Sequence, residues 1–228
     1  ISIASYVFAT FGKNKKAAEA AIKYVLFGGV SSAITLFGIS YLYGITGTLD
    51  LLDPQFSRNL TQIEPTALSI ILLMSLGGFL FKISAFPFHL WVPDVYEATP
   101  TPIISFLSIA PKAAGILILI RITSALPLSQ QNIFILIAIL SIVIGNFSAL
   151  NQKNTKRMLA YSTIAQAGFL IAAIGSFTNL GIKSAYFYLF GYVFSNMLAF
   201  YLIDFFEEKN NANGYLLETY KGLGAKFS

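Results

Sequence analysis

The sequence predicts an all-α, polytopic membrane protein, and three observations lead there. Of its 228 residues, 56% are hydrophobic and 11% are charged, against about a quarter charged in ordinary soluble domains. Mean hydropathy is +0.70. Apolar windows of 18 or more nearly uncharged residues recur along the chain, each long enough to cross a hydrocarbon core of roughly 30 Å as a helix. Hydrophobicity is continuous within these windows rather than alternating, which argues against a barrel as the way to satisfy the backbone in lipid.

Six full spans are expected, at 21–45, 66–88, 101–126, 131–150, 156–177 and 183–206. Residues 1–10 are apolar but too short to span, and they have no basic start or small-residue cleavage site of a signal peptide. They read as the end of a further helix. Residues 207–228 read as a polar loop on the cytoplasmic side that leads on to further helices, so the sequence has the look of an internal piece of a longer bundle.

The net charge is +5 and there are no cysteines. Basic residues lie in short loops, where positive charge sets membrane orientation, so nucleic acid is not the expected partner. One side of the bundle carries Lys13, Lys15, Lys16 and Lys23, then Lys153, Lys156 and Arg157, then Lys209, Lys221 and Lys226. The other carries mainly Arg58, Arg121 and Lys183, with Asp50, Asp53 and Glu64 beside Arg58. This asymmetry places the 89–102 loop and residues 207–228 on the cytoplasmic side or its topological equivalent. A faint repeat, Leu26-Phe27-Gly28 with Val30 and Ser32 against Leu189-Phe190-Gly191 with Val193 and Ser195, falls in spans running in opposite directions. Inverted repeats of transporters look like this, and so does chance similarity among small and apolar residues.

Two residues stand out chemically. Lys82 follows a long apolar run inside the span 66–88, and Lys112 lies inside 101–126. A central lysine costs roughly 2.5–3.5 kcal/mol on insertion scales, so such residues face hydrated cavities and mark ion paths or proton relays. The bland alternative is that the flexible stem carries the ammonium out to an interface. Pro87 and Pro111 are expected to break the two helices, because each removes a donor and crowds the carbonyl four residues before it. Desolvation disfavours a charged ammonium, which suits lysine to proton exchange. Charge alone leaves open a role in binding a substrate anion.

Around the lysines, His89 is a candidate proton gate, against the commoner case of a packed or hydrogen-bonded histidine. Asp94 and Glu97 are candidates for proton uptake at the mouth, with a loop ion network the better reading. Trp91 and Tyr96 look like an interfacial belt, and Lys156 with Arg157 like an orientation anchor at a helix start. Asn146, Gln166 and Asn196 are available for hydrogen bonds between helices. Gly222-Leu223-Gly224 follows no strand and lacks the third glycine of a dinucleotide fingerprint. No metal-ligand spacing and no nucleophile–base pair is visible, and no cofactor is expected on this chain.

The run Phe81-Lys82-Ile83-Ser84-Ala85-Phe86-Pro87-Phe88-His89-Leu90-Trp91-Val92-Pro93-Asp94-Val95-Tyr96-Glu97, followed by Thr99-Pro100-Thr101-Pro102, resembles the antiporter-like subunits of respiratory complex I, in particular the subunit N (mitochondrial subunit 2) family of NADH–quinone oxidoreductase. The likeness continues through Phe106-Leu107-Ser108, Pro111-Lys112-Ala113-Ala114, Gly145-Asn146, Asn154 to Ser162 and Tyr220-Lys221-Gly222-Leu223-Gly224. It covers essentially the whole chain. The resemblance implies an antiporter-like bundle with inverted repeats and broken helices, in which Lys82 and Lys112 are the lysines of the seventh and eighth helices. It also implies a glutamate before Ile1 and a further lysine after Ser228.

By the same resemblance the expected function is proton translocation by an NADH:quinone oxidoreductase, a translocase whose NADH and quinone are used elsewhere in the complex. Its partners would be the other membrane subunits and the lipid bilayer, in a bacterial plasma membrane or, alternatively, a mitochondrial inner or thylakoid membrane. Rival expectations are a subunit of a multisubunit cation/proton antiporter or membrane hydrogenase, and a structural membrane subunit.

Overall fold

A computed structural model of the chain describes residues 2–9, 15–209 and 215–221, all helix, turn or loop apart from one isolated backbone bridge. Along the described residues the helices are α1 (Ser2–Ala9), α2 (Lys15–Thr46), α3 (Pro54–Thr61), α4 (Pro65–Ser75), α5 (Gly77–Ile83), α6 (Val92–Ala98), α7 (Thr101–Thr123), α8 (Gln131–Leu150), α9 (Thr155–Ile174) and α10 (Asn179–Lys209). Lys13, Lys226 and Gly222-Leu223-Gly224 lie outside the described residues.

Local chemistry sets the helix starts. The Asp53 carboxylate accepts the Gln55 N–H and Pro54 opens α3; the Glu64 carboxylate accepts the Ala67 N–H and Pro65 opens α4. Asn154 Oδ1 accepts the N–H groups of both Lys156 and Arg157 to open α9. Each cap satisfies a donor that the first helical turn would leave orphaned, and proline at the start loses no bond it would have made.

Five helices, α2, α7, α8 with the turn before it, α9 and α10, are long and apolar enough to cross a membrane. The pair α4 and α5, bent by 55° at Leu76, has the length and apolarity of a broken span or a re-entrant loop. That bend differs from the single span expected over 66–88, and α3 occupies what reads in sequence as plain loop. The reason for the bend is visible: the Gly78 N–H, at the first turn of α5, donates to Thr35 Oγ1 of α2 at 2.6 Å. α10 runs to Lys209, three residues into the expected loop.

α8 and α9 form the tightest pair. A side chain at Gly145 would begin 2.6 Å from the Ala165 backbone N, and one at Gly168 would begin 2.8 Å from the Ala138 carbonyl. Only glycine allows both approaches, the close-packing device of membrane helices. The repeat signal is not matched in packing, since a side chain at Gly28 would run into Tyr6 whereas Gly191 faces open space. Outward faces are apolar, with Phe187 83% and Leu150 79% exposed, as a lipid-facing surface requires.

The interior divides into two clusters. The larger gathers residues such as Leu72, Leu80, Ile116, Leu119, Phe134 and Ile171 from α4, α5, α7, α8 and α9. The smaller is aromatic and joins Tyr24, Phe81, Trp91, Tyr96, Ile104, Ile164 and Phe200. Trp91 and Tyr96, read from sequence as an interfacial belt, are 2% and 0% exposed. They are core residues, because the chain between α5 and α6 folds back into the bundle instead of passing out of it.

Candidate functional site

α5 carries Lys82 on its last turn and stops at Ser84, which is left-handed (φ 66°, ψ 35°). The helix thus ends three residues before Pro87, whose peptide bond is cis, and Pro87 does not itself break it. Two of the carbonyls released there, those of Leu80 and Phe81, are claimed by protein. Phe81 O accepts the Ser84 N–H at 3.1 Å and the Trp91 Nε1–H at 3.2 Å, and Leu80 O accepts the Ala85 N–H at 2.9 Å. The Phe86 N–H is held by Ser141 Oγ of α8 at 3.0 Å. An irregular backbone is tolerated at membrane depth only with such partners.

The Lys82 ammonium is buried and has no hydrogen-bond partner among the described residues. Its surroundings are aromatic: Nζ lies 5.5 Å from the Tyr6 ring centroid, 5.8 Å from Tyr24 and 5.7 Å from Phe81. Tyr24 is itself stacked on Trp91 at 4.3 Å and on Phe81 at 5.7 Å. The stem does not carry the charge to a surface. Ser84 Oγ, His89 Nδ1 and Thr99 Oγ1 are also buried without partners, so the segment from Lys82 to the start of α7 concentrates unpaired polar atoms. His89 is packed, 7% exposed and close to Phe86.

Lys112 sits in a different setting. It is 2% exposed, and its Nζ donates to the Thr163 carbonyl of α9 at 3.1 Å. Tyr192 of α10 lies 6.0 Å from Nζ; its hydroxyl donates to Ser108 O at 3.1 Å, and Asn196 Nδ2 donates to Ser108 Oγ at 2.7 Å. Pro111 lies inside a continuous α7. The expected break there is absent, because the helix bridges the missing N–H while neighbouring helices supply polar contacts.

Toward the α6 end, the charged residues form one connected group. Arg157 Nη1 donates to Asp94 Oδ1 at 2.8 Å and to Glu97 Oε2 at 2.9 Å. Lys23 Nζ reaches Asp94 Oδ2 at 2.9 Å and Glu19 at 2.8 Å, and Lys16 reaches Glu97 at 3.6 Å. Burial pushes the Asp94 carboxyl up, but hydrogen bonds from Lys23 and Arg157 outweigh it and hold the group below its ordinary range. A cleft of about 170 Å³ opens on this group. The network expected for Asp94 and Glu97 is therefore present. The sequence missed its cations: Arg157 reads as an orientation anchor, yet it bridges two carboxylates. Lys156, read the same way, is buried and pairs with Glu207 at 2.9 Å, and Glu207 also accepts the Thr101 hydroxyl at 2.6 Å. No group of three or more His, Cys, Asp or Glu residues among those described could hold a metal ion.

With this geometry in view, residues 1–226 match the family described as NADH:quinone oxidoreductase/Mrp antiporter, TM. The chain belongs to this family. Among its relatives are NAD(P)H-quinone oxidoreductase subunit 2 of a Picosynechococcus strain, 43% identical over 99% of this chain and 44% of the relative, and NADH-quinone oxidoreductase subunit N of Trichlorobacter lovleyi, 40% identical over 99% of this chain and 47% of the relative. The chain spans about half the length of the curated relatives it matches. A chain of respiratory complex I from Thermus thermophilus superposes with a TM-score of 0.76 at 36% identity, covering 89% of this chain and 44% of that one. As a member of the NADH:quinone oxidoreductase/Mrp antiporter family, the chain is an all-α membrane protein with an antiporter-like bundle.

Proposed function

We propose that the chain is the lysine-bearing middle of a proton-translocating subunit N, the membrane arm component of an NADH:quinone oxidoreductase. The observation that carries this reading is the pair of buried lysines on neighbouring helices in two unlike settings, one facing aromatic rings without a hydrogen-bond partner and one hydrogen-bonded to a carbonyl. A charge at such a depth is strongly affected by any charge that moves nearby, because the effective dielectric is low. Each Nζ is therefore a place where a proton can be held or released as neighbouring charges rearrange.

The unpaired atoms Ser84 Oγ, His89 Nδ1 and Thr99 Oγ1 are suited to hold ordered water along the segment linking α5 to α7, and buried polar atoms of this kind are ordinarily hydrated. Protons would pass between Lys82 and Lys112 by such waters, with His89 as an intermediate group. NADH oxidation and quinone reduction would belong to other subunits of the assembly, with which this subunit would share the membrane. The plasma membrane of a bacterium or a thylakoid membrane would house it.

NADH-driven proton uptake per NADH oxidised, measured in inverted vesicles containing the full-length subunit, tests the reading through Lys82→Ala. Pumping should fall while the complex stays assembled. Equal pumping without Lys82 would overturn the relay, and an absence of NADH-driven transport in the native form would move the assignment to a cation/proton antiporter.

A further inference from the structure

The helix α6 has a place in the bundle that its length of seven residues does not suggest. By chain it joins the two lysine helices: eight residues separate it from α5 and two separate it from α7. By charge it joins the two helices that touch the lysines from the other side. Lys23 of α2 holds Asp94, and the next residue, Tyr24, presents its ring to Lys82 Nζ. Arg157 of α9 holds Asp94 and Glu97, and Thr163, six residues further on the same rigid helix, accepts the hydrogen bond from Lys112.

The geometry points to Arg157 as a positioning residue: with Asp94 and Glu97 it forms an ionic clasp that keeps the Lys82 and Lys112 pockets in fixed register. The inference rests on the proton-relay reading of the two lysines. Three cations and three carboxylates meet here, Lys16, Lys23 and Arg157 against Glu19, Asp94 and Glu97, so the clasp is neutral as a whole and removing one cation leaves excess negative charge. Arg157 and both its carboxylates are about 30% exposed at the side chain, which leaves their attraction less screened than that of a fully exposed pair. The adjacent Lys156 points elsewhere, to both carboxylate oxygens of Glu207 of α10, and Glu207 Oε2 also takes the hydroxyl of Thr101 at the start of α7. The first turn of α9 is thereby tied to α6 on one side and to α7 and α10 on the other.

Both contacts of Arg157 run through the same nitrogen, Nη1, so the clasp needs a point charge at that place and not the planar fork of a guanidinium. A lysine should therefore restore what a glutamine loses.

The experiment uses the full-length subunit assembled in its complex, with spin labels at Ile22→Cys on α2 and Phe169→Cys on α9, both exposed positions. The distance distribution between the labels is compared in native, Arg157→Gln and Arg157→Lys proteins, together with protons pumped per NADH. The expected result is a narrow distribution in the native protein, a broader or longer one in Arg157→Gln with pumping per NADH reduced at least threefold, and recovery of both in Arg157→Lys. If Arg157→Gln does not assemble, Lys23→Gln, which opens only the α2 side of Asp94, should give the same broadening. An unchanged distribution overturns the clasp. A changed distribution with normal pumping leaves it structural and overturns the positioning role, and failure of lysine to restore overturns the point-charge account. Normal pumping by Lys82→Ala would instead sink the relay, while the distance data would still decide whether the clasp exists.

Discussion

The Lys82 and Lys112 pockets hold the same functional group by opposite means. Lys112 has a directed bond: its ammonium donates to a carbonyl, and Tyr192, Asn196 and Ser108 fix the surrounding helices with hydrogen bonds. Lys82 has three rings near its ammonium and, among the described residues, no hydrogen-bond partner. A cation over an aromatic face gains about 0.5–2 kcal/mol, less than the several kcal/mol needed to strip a charge of water. The difference teaches that one lysine is held in place by directed bonds and the other by shape alone, so the second is the more responsive to a change in its surroundings.

The largest effect that would sharpen this contrast is on transport. Lys82→Met should reduce NADH-driven proton uptake by about tenfold or more, the equivalent of roughly 1.4 kcal/mol or more in a barrier, with assembly intact. Near-native uptake would break the comparison at its root.

Next comes the aromatic cage. Tyr24→Leu removes a ring stacked on both Trp91 and Phe81 and should lower the unfolding free energy of the detergent-solubilised full-length protein by about 2–4 kcal/mol. Tyr24→Phe keeps the ring and loses only the 3.2 Å bond to Ser5, so it should cost under about 1 kcal/mol. A large loss from Tyr24→Phe would mean that the hydroxyl, and not the face, matters.

The same substitution should then have opposite signs in the two pockets. Lys82→Met removes an unpaired buried amine and should stabilise the fold by about 1–2 kcal/mol, whereas Lys112→Met forfeits the bond to the Thr163 carbonyl and should destabilise it by about 0.5–1.5 kcal/mol. Equal signs in an unfolding titration would erase the distinction.

The smallest effect concerns the clasp. Because the folded-state Asp94 carboxyl titrates below its ordinary value, its contribution to stability is fully present above about pH 4 and is lost as pH falls through the depressed value. Stability measured from pH 7 to 5 should therefore differ by less than about 0.5 kcal/mol between native and Asp94→Asn proteins once the constant offset is removed. A slope in that window would assign the titration to another group.

The lysines were legible in sequence because an ammonium inside a long apolar run is costly wherever the helix packs. The fold class followed for the same reason. What was not legible depends on which helices meet. Pro111 breaks a helix in isolation but not within α7, Trp91 and Tyr96 become core only because the segment after Ser84 turns inward, and the bend at Leu76 needs Thr35 of another helix. Arg157 looks like any loop-side cation until α6 is laid against α9. α3 carries its apolar signal in one pair, Phe56 and Leu60, four residues apart, which is a single helical turn among polar residues.

The bend at Leu76 has a mechanical consequence. Lys82 lies six residues beyond it on a short straight rod, a lever about 9 Å long at the helical rise of 1.5 Å per residue. Tilting that rod by about 5° about the Thr35 hinge would swing its far end by roughly 0.8 Å, more than the whole span of distances, about 2.7–3.2 Å, over which an N–H···O bond is made. A tilt of that size would decide whether Nζ, which has no hydrogen-bond partner among the described residues, meets an acceptor or stays against the rings.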